Sequence, residues 1–275
     1  MQSRGWRILI IQILIFNFSL CQYKLMAQSQ YVYNHLVWRD EFNNKSNVLD
    51  TTKWNVDIGN GCPSLCGWGN NELEYYSKNK ENVKLEGGLL IIQAKKEEIQ
   101  EFKYSSAKLT TKNKADWTYG RFEIRAKIPF GRGVWPAIWM LPTTSAYGQW
   151  PHSGEIDIME NVGYLPDSLF GTVHTGAYNG MKGTQKSGSF FSKKMSDEFH
   201  NYSVEWTKEA ITFYIDNIKY HSFKNDKTNS EAWPFNQKFH LILNLAIGGN
   251  WGGKYGVDDS IFPQQMLVDY VRVYQ

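Results

Sequence analysis

From Tyr31 to its last residue the chain consists of short β-branched and aromatic runs broken by turn residues, and no apolar stripe recurs with the 3.6-residue period of an amphipathic helix. That pattern restricts the chain to an all-β fold. In Tyr119 to Ile128 the odd positions are Tyr, Arg, Glu, Arg and Lys and the even ones Gly, Phe, Ile, Ala and Ile. An extended chain with this alternation buries one face and leaves the other wet. Two hairpins are legible: Val83 to Glu86 and Leu89 to Ala94 flank Gly87-Gly88, and Ala210 to Ile215 and Lys219 to Phe223 flank Asp216-Asn217. Both dipeptides suit the positive φ of a tight turn, which makes the joined strands antiparallel. Leu267 to Tyr274 is again a strand pattern, and neither internal repeats nor a Pro/Ser/Thr-rich linker divide the chain. Residues 31–275 therefore read as one domain, a β-sandwich of two antiparallel sheets packed face to face.

Residues 1–27 have the layout of a secretory signal that is removed from the mature chain: Arg4 and Arg7, an apolar stretch from Ile8 to Leu20, and small Ala27 at the cleavage point. The stretch is shorter than the roughly 18 residues of a membrane span, and Gln12 and Asn17 interrupt it. Cys21 leaves lipid attachment as the lesser alternative, because Leu20 stands where such signals want a small side chain. The segment holds three of the 30 basic residues (Arg4, Arg7 and Lys24) and no acid, so the mature chain balances 27 basic against 27 acidic residues. A neutral chain has no electrostatic reason to seek nucleic acid or an anionic membrane. Cys62 and Cys66 remain, in a loop bearing Gly, Pro and Ser. An oxidising compartment favours a small-loop disulfide between them; a zinc pair is the alternative, with no second Cys pair or spaced His pair to complete four ligands.

The densest chemistry lies in Gly154-Glu155-Ile156-Asp157-Ile158-Met159-Glu160. On an extended strand Glu155 and Asp157 share one face, and Ile156 and Ile158 share the other. Glu160, at an odd offset from Glu155, would point into the apolar interior, where an unpaired carboxylate is costly. A bulge near Met159 returns it to the face of the other acids. Like charges so close push their pKa values apart, so that one acid stays ionised as a nucleophile while another keeps its proton as a donor. Glu155 is the expected nucleophile, Glu160 the acid/base, and Asp157 the group that hydrogen-bonds and orients Glu155. That division suits cleavage of a glycosidic bond with retention of configuration. An acidic strand edge or a calcium site would show the same count of acids.

Sugars present C–H faces that stack on flat rings, and the chain has 11 Trp. Trp135 and Trp139 fall on one side of the run Gly133 to Leu141, and Trp150 lies just before the acids. Core packing is the alternative for each of them singly, and at least two are expected to stack on sugar.

Read in order, Trp38 to Phe42, Asn70 to Tyr76, Tyr119 to Glu123, Trp135 to Leu141, Ser153 to Glu160, His174 to Gly176, Asn244 to Trp251 and Asp269 to Tyr274 form an ordered set of motifs along the mature chain. This set resembles glycoside hydrolase family 16, and within it the laminarinase-like branch. The resemblance implies a β-jelly roll with a concave cleft and secreted, endo-acting hydrolysis of β-1,3-glucan by a monomer, with no cofactor for catalysis. It places nucleophile, assisting acid and acid/base on Glu155, Asp157 and Glu160. It also implies Asn70, Trp135, Trp139, Trp150 and His174 as cleft residues; His174 could instead be a core histidine. A structural calcium would map to Glu41, Gly87 and Asp269 through backbone and carboxylate oxygens, with strand-end acids as the alternative.

The chain departs from the family pattern at Glu74, where many relatives carry Gln, and in the loop from Cys62 to Cys66. Either change can alter which sugar fits. Another polysaccharide, such as mixed-linkage glucan, agarose or porphyran, is thus the alternative substrate. A lichenase-like or transglycosylase assignment is disfavoured by the extra residue at Met159, and a purely glucan-binding role by the intact acids.

Overall fold

Seventeen strands and three single 3-10 turns carry the described residues. In chain order the strands are β1 Leu36–Asp40, β2 Asn55–Val56, β3 Glu74–Tyr76, β4 Val83–Glu86, β5 Leu89–Ile99, β6 Phe102–Ser106, β7 Lys108–Thr110, β8 Gly120–Lys127, β9 Val134–Pro142, β10 Glu155–Glu160, β11 Ser168–His174, β12 Lys186–Phe191, β13 His200–Trp206, β14 Ala210–Ile215, β15 Ile218–Lys224, β16 Phe239–Ile247 and β17 Gln264–Tyr274. This computed structural model describes residues 31–44, 47–193 and 195–275. The expected signal segment and Cys21 lie outside the described residues. Among these, no helix is long and apolar enough to cross a membrane.

The strands form two sheets. The larger runs β15-β14-β13-β8-β17-β5-β6-β3, with β1 added on β17 and β4 on β5; the smaller runs β12-β11-β10-β9-β16-β7-β2. Every pairing between strands is antiparallel except that of β3 with β6. Both legible hairpins form, β4 with β5 across Gly87-Gly88 and β14 with β15 across Asp216-Asn217, and all four turn residues have positive φ.

The alternation on β8 decides what faces the core: Phe122, Ile124 and Ala126 are fully buried between the sheets. Arg121 departs from its wet-face pattern and is buried, because its guanidinium stacks on the Tyr31 and Tyr274 rings at 4.3 and 3.9 Å and pairs with Glu123. From the smaller sheet, Ile138, Met140, Ile156, Leu169, Val173, Leu241, Leu243 and Leu245 meet this layer, and Trp54 and Trp206 are the largest side chains buried in it. Each such side chain contributes about 1.5–3 kcal/mol on burial. β16 is buried along its whole length, including the polar His240 and Asn244 on the side away from the core. Something other than the core must therefore cover that side, and the residues that do so build the site described next.

Candidate active site

β10 lies between β9 and β11 in the smaller sheet. Asp157 pairs with Trp139 on β9, whereas Met159 pairs with Ile138 and Glu160 with Ala137, so Ile158 is one residue too many for the ladder. The same slip occurs against β11, where Asp157 faces Thr172 and Glu160 faces Phe170. The bulge thus occupies Ile158 and Met159, both fully buried, and Glu160 emerges on the face of Glu155 and Asp157. Gly154 leads into the strand at φ +87°, where a Cβ would stand 2.9 Å from Pro234 Cγ and 3.0 Å from Phe235. Only glycine fits this entry.

Each acid has a distinct set of neighbours. Glu155 Oε2 accepts the Trp150 indole N–H at 2.7 Å, and its Oε1 lies 4.0 Å from His174 Nε2. Asp157 Oδ2 is 3.3 Å from the same nitrogen, poorly aligned for a full hydrogen bond. The Gly180 backbone N–H donates to His174 Nδ1 at 3.1 Å, which leaves the ring proton on Nε2, aimed at the two carboxyls. Glu160 Oε1 accepts the Trp135 indole N–H at 3.1 Å.

Burial, then the charge of Glu155 and a hydrogen bond to it, push the Asp157 carboxyl well above its usual range. The shift favours the protonated form of Asp157 beside Glu155. Burial, followed by the negative charge of the Asp157–Glu155 pair, raises Glu160 well above the usual glutamate range, against the opposing pull of His174 and Trp135. The result is an acid that keeps its proton to higher pH than an ordinary glutamate, beside Glu155, which an indole N–H holds. Glu155, Asp157 and His174 can each bring one ligand atom within 4.8 Å of the others. With its proton on Nε2, however, the histidine turns an N–H toward the acids and offers a cation no lone pair there.

The residues expected to line a cleft lie around this strand. Trp135 and Trp139 project from β9 on the side away from the core, Trp139 donates from Nε1 to Asn244 Oδ1 at 2.7 Å, and Trp150 is among the exposed aromatics. His174 faces the acids and is no core histidine, its side chain retaining 15% exposure. Asn70 Nδ2 donates to Glu72 Oε1 at 3.2 Å, and a Cβ on Gly249 would meet both the Asn70 carbonyl and the Trp135 ring at 3.2 Å.

The structure adds residues that the sequence reading did not single out. Trp251 packs edge-on against Trp135 and Phe170, at 5.6 and 5.1 Å. Lys108 Nζ lies 3.8 Å over the Trp68 ring and 5.4 Å from that of Trp139. Glu72, Tyr76 and Asn244 sit beneath them, joined by hydrogen bonds. Asn244, Trp251, Glu72 and Tyr76 all stood in motif runs, but β7 is only three residues long, too short for any pattern to mark Lys108. Cys62 and Cys66 form a disulfide in the loop that leads into Asn70.

The residues expected at calcium gather at one end of the larger sheet. Asp40 pairs with Val271, which brings Glu41 beside Tyr270, and Val268 pairs with Leu90, which brings the Gly87 turn toward Asp269. Asp269 is the extra residue of a bulge opposite β8. The carboxylates of Glu41 and Asp269 are engaged elsewhere, which leaves backbone oxygens as the ligands these segments could offer an ion. Arg272 holds both Glu41 oxygens at 2.9 and 2.8 Å, and Arg125 pairs with Asp269.

A two-sheet β-fold with a bulged strand of three carboxyl groups, set among indole rings, has the equipment of a glycoside hydrolase. The chain belongs to glycosyl hydrolases family 16, matched over residues 69–272. It is 52% identical over 248 residues to the beta-glucanase of Rhodothermus marinus, covering 87% of this chain and 85% of that protein. The X-ray structure of the laminarinase from Rhodothermus marinus superposes with a TM-score of 0.85 at 49% identity, covering 89% of this chain and 99% of that one. The crystal structure of laminarinase from Flavobacterium sp. UMI-01 gives 0.81 at 44% identity, with 87% and 100% covered.

Proposed function

We propose that this protein is a secreted endo-β-1,3-glucanase of the laminarinase type that acts by double displacement. The observation that carries the mechanism is the bulge at Ile158 and Met159, which brings Glu155, Asp157 and Glu160 to one face with an indole N–H on each glutamate. Glu155 attacks the anomeric carbon while Glu160 gives its proton to the departing glycosidic oxygen. Glu160, now ionised, takes a proton from water, and that water attacks the same carbon and releases Glu155 from the glycosyl ester. Asp157, protonated and hydrogen-bonded to Glu155, keeps the nucleophile aimed.

A reducing-sugar assay across laminarin, lichenan, curdlan, agarose, porphyran and carrageenan tests the substrate. Turnover of laminarin is expected, and its absence would sink the β-1,3-glucan reading. Glu155→Ala should abolish hydrolysis. Azide should partly rescue Glu160→Ala on an activated substrate and give a product of retained configuration; an inverted product would overturn the two roles. Asp157→Asn should keep measurable but lower activity, because it removes an orienting group and no reacting atom.

Export is supported by the layout of residues 1–27 and by the Cys62–Cys66 disulfide, a bond that persists in oxidising compartments. The protein is proposed to work as a monomer, which sizing in solution checks. A structural calcium at the Glu41, Gly87 and Asp269 end is supported by the convergence of these three segments. Glu41 would contribute its backbone oxygen there, since Arg272 holds its carboxylate. Added calcium should raise Tm by a few degrees over a chelator-treated sample, and identical melts would remove the ion from the proposal.

A further inference from the structure

Beneath the cleft lies a second pair of acids that the hydrolytic steps do not use. Glu74, on β3, is fully buried. Its Oε2 accepts the Ile247 backbone N–H at 2.6 Å, and its Oε1 has no donor among the described residues. Glu72 Oε1 accepts from Asn70 at 3.2 Å and Oε2 from the Tyr76 hydroxyl at 3.2 Å. The two carboxyl groups also act directly on each other's protonation. Two buried like charges so close repel, which favours a proton on one of them. Glu74 is the holder: it is the more deeply buried, it has a single donor, and its free oxygen becomes a donor once protonated. Glu72 then stands as the carboxylate, with Asn70, Tyr76 and Glu74 donating to it.

The chain of donors continues into the cleft in one direction. Trp139 Nε1 donates to Asn244 Oδ1 at 2.7 Å, Asn244 Nδ2 donates to the Tyr76 oxygen at 2.9 Å, and the Tyr76 hydroxyl donates to Glu72. Every bond ends on the Glu72 charge, and Trp139 is the residue that pairs with Asp157 across the β9–β10 ladder. The other charged or titratable groups facing the pair are Tyr76 itself and Lys108, which is balanced in turn by Asp57 at 3.5 Å. Tyr104, opposite Glu74 on β6, directs its hydroxyl to Asp259 instead.

We propose that Glu74 is a positioning residue for substrate binding: as a buried protonated acid it keeps Glu72 a single carboxylate, and Glu72 orients Trp139 through Tyr76 and Asn244 and holds Asn70 directly. This rests on the reading of Trp139 and Asn70 as sugar-contacting residues. Burial, then the Glu72 charge, raises the Glu74 carboxyl well above the usual range, which moves loss of its proton to higher pH. When that proton leaves, two like charges face each other without a donor between them, and the relay to Trp139 loses its anchor.

The test is the pH dependence of KM and kcat for laminarin in the wild type, Glu74→Leu, Glu74→Gln and Tyr76→Phe. Glutamine donates to Glu72 and accepts from Ile247 without titrating. Glu74→Leu should raise KM on the order of tenfold, as expected for loss of a hydrogen bond to a charged group, with kcat changed far less. Glu74→Gln should rescue KM and hold it flat as pH rises, while the wild-type KM climbs through the raised Glu74 pKa. Tyr76→Phe, which keeps the ring and removes only the relay hydroxyl, should raise KM as the leucine variant does, and it decides the matter if that variant does not fold. Identical KM profiles for wild type and Glu74→Gln would overturn the proposal, as would an effect of Tyr76→Phe on kcat alone. Failure of the wild type to turn over laminarin would instead refute the glucanase reading beneath it.

Discussion

Trp135 and Trp150 direct their only polar atoms at Glu160 and Glu155, so each ring serves both as a flat surface and as a local electrostatic control. The Trp135 N–H favours the ionised form of Glu160, opposing the burial that raises it. In the proposed mechanism Glu160 must be protonated to expel the leaving sugar, so activity is expected to fall as pH rises through its pKa. Trp135→Phe removes the opposing hydrogen bond, raises that pKa further, and should move the alkaline limb of kcat/KM upward by about one pH unit. A limb that stays in place would mean that the indole N–H does not act on Glu160. The common face of the three acids was legible from their order and spacing. The proton of His174 was not, because the Gly180 N–H that fixes it comes from a separate turn.

At the scale of the element, the odd offset between Glu155 and Glu160 called for an extra residue, and the register places it at Ile158. Deleting Met159 leaves Glu-Ile-Asp-Ile-Glu, a regular alternation that keeps all three acids on one face without a bulge. Such a variant should fold, with Tm within a few degrees of wild type, yet lose about 100-fold in kcat/KM, because displacing a reacting group by about 1 Å has that effect. Wild-type activity would show that the face alone matters. Long, alternating strands and the two hairpins were readable in the sequence, since parity and positive-φ turn residues are local properties. The parallel pairing of β3 with β6 and the three-residue β7 were not. Strands so short carry no period, and a parallel partner is chosen by what else packs nearby.

For the whole molecule, the shifted groups set a stability optimum. Burial raises Glu72, Glu74, Asp157 and Glu160, so the native state binds protons that the unfolded chain releases above the ordinary carboxyl values. Their contribution is complete below those values and is lost as pH rises through the native ones. Glu41 and Glu97 are lowered, Glu41 chiefly by its hydrogen bonds from Arg272 and Glu97 by those from Lys95 and Ser105 against its burial; their contribution is lost as pH falls. His240, lowered by burial to about 4, also favours the native state less as pH drops from 6.5. The two trends cross on the weakly acidic side, and thermal melts should show maximal Tm at about pH 5–6.5. Glu74→Gln should flatten the alkaline decline; a Tm that rises steadily to pH 8 would contradict it.

The sequence by itself determined the all-β architecture, the two hairpins, the shared face of Glu155 and Asp157, and the need for a bulge before Glu160. Each depends on backbone parity and turn conformation within a few residues. Only the tertiary structure decided which donor reaches which acid, and hence where the protons sit. Trp139 and Asn244 are 105 residues apart in the chain, and Asn244 and Tyr76 are 168 apart. Burial and hydrogen bonding, which set the charge of every acid in the cleft, arise when the sheets fold over one another, and no local pattern in the chain encodes such distant pairs.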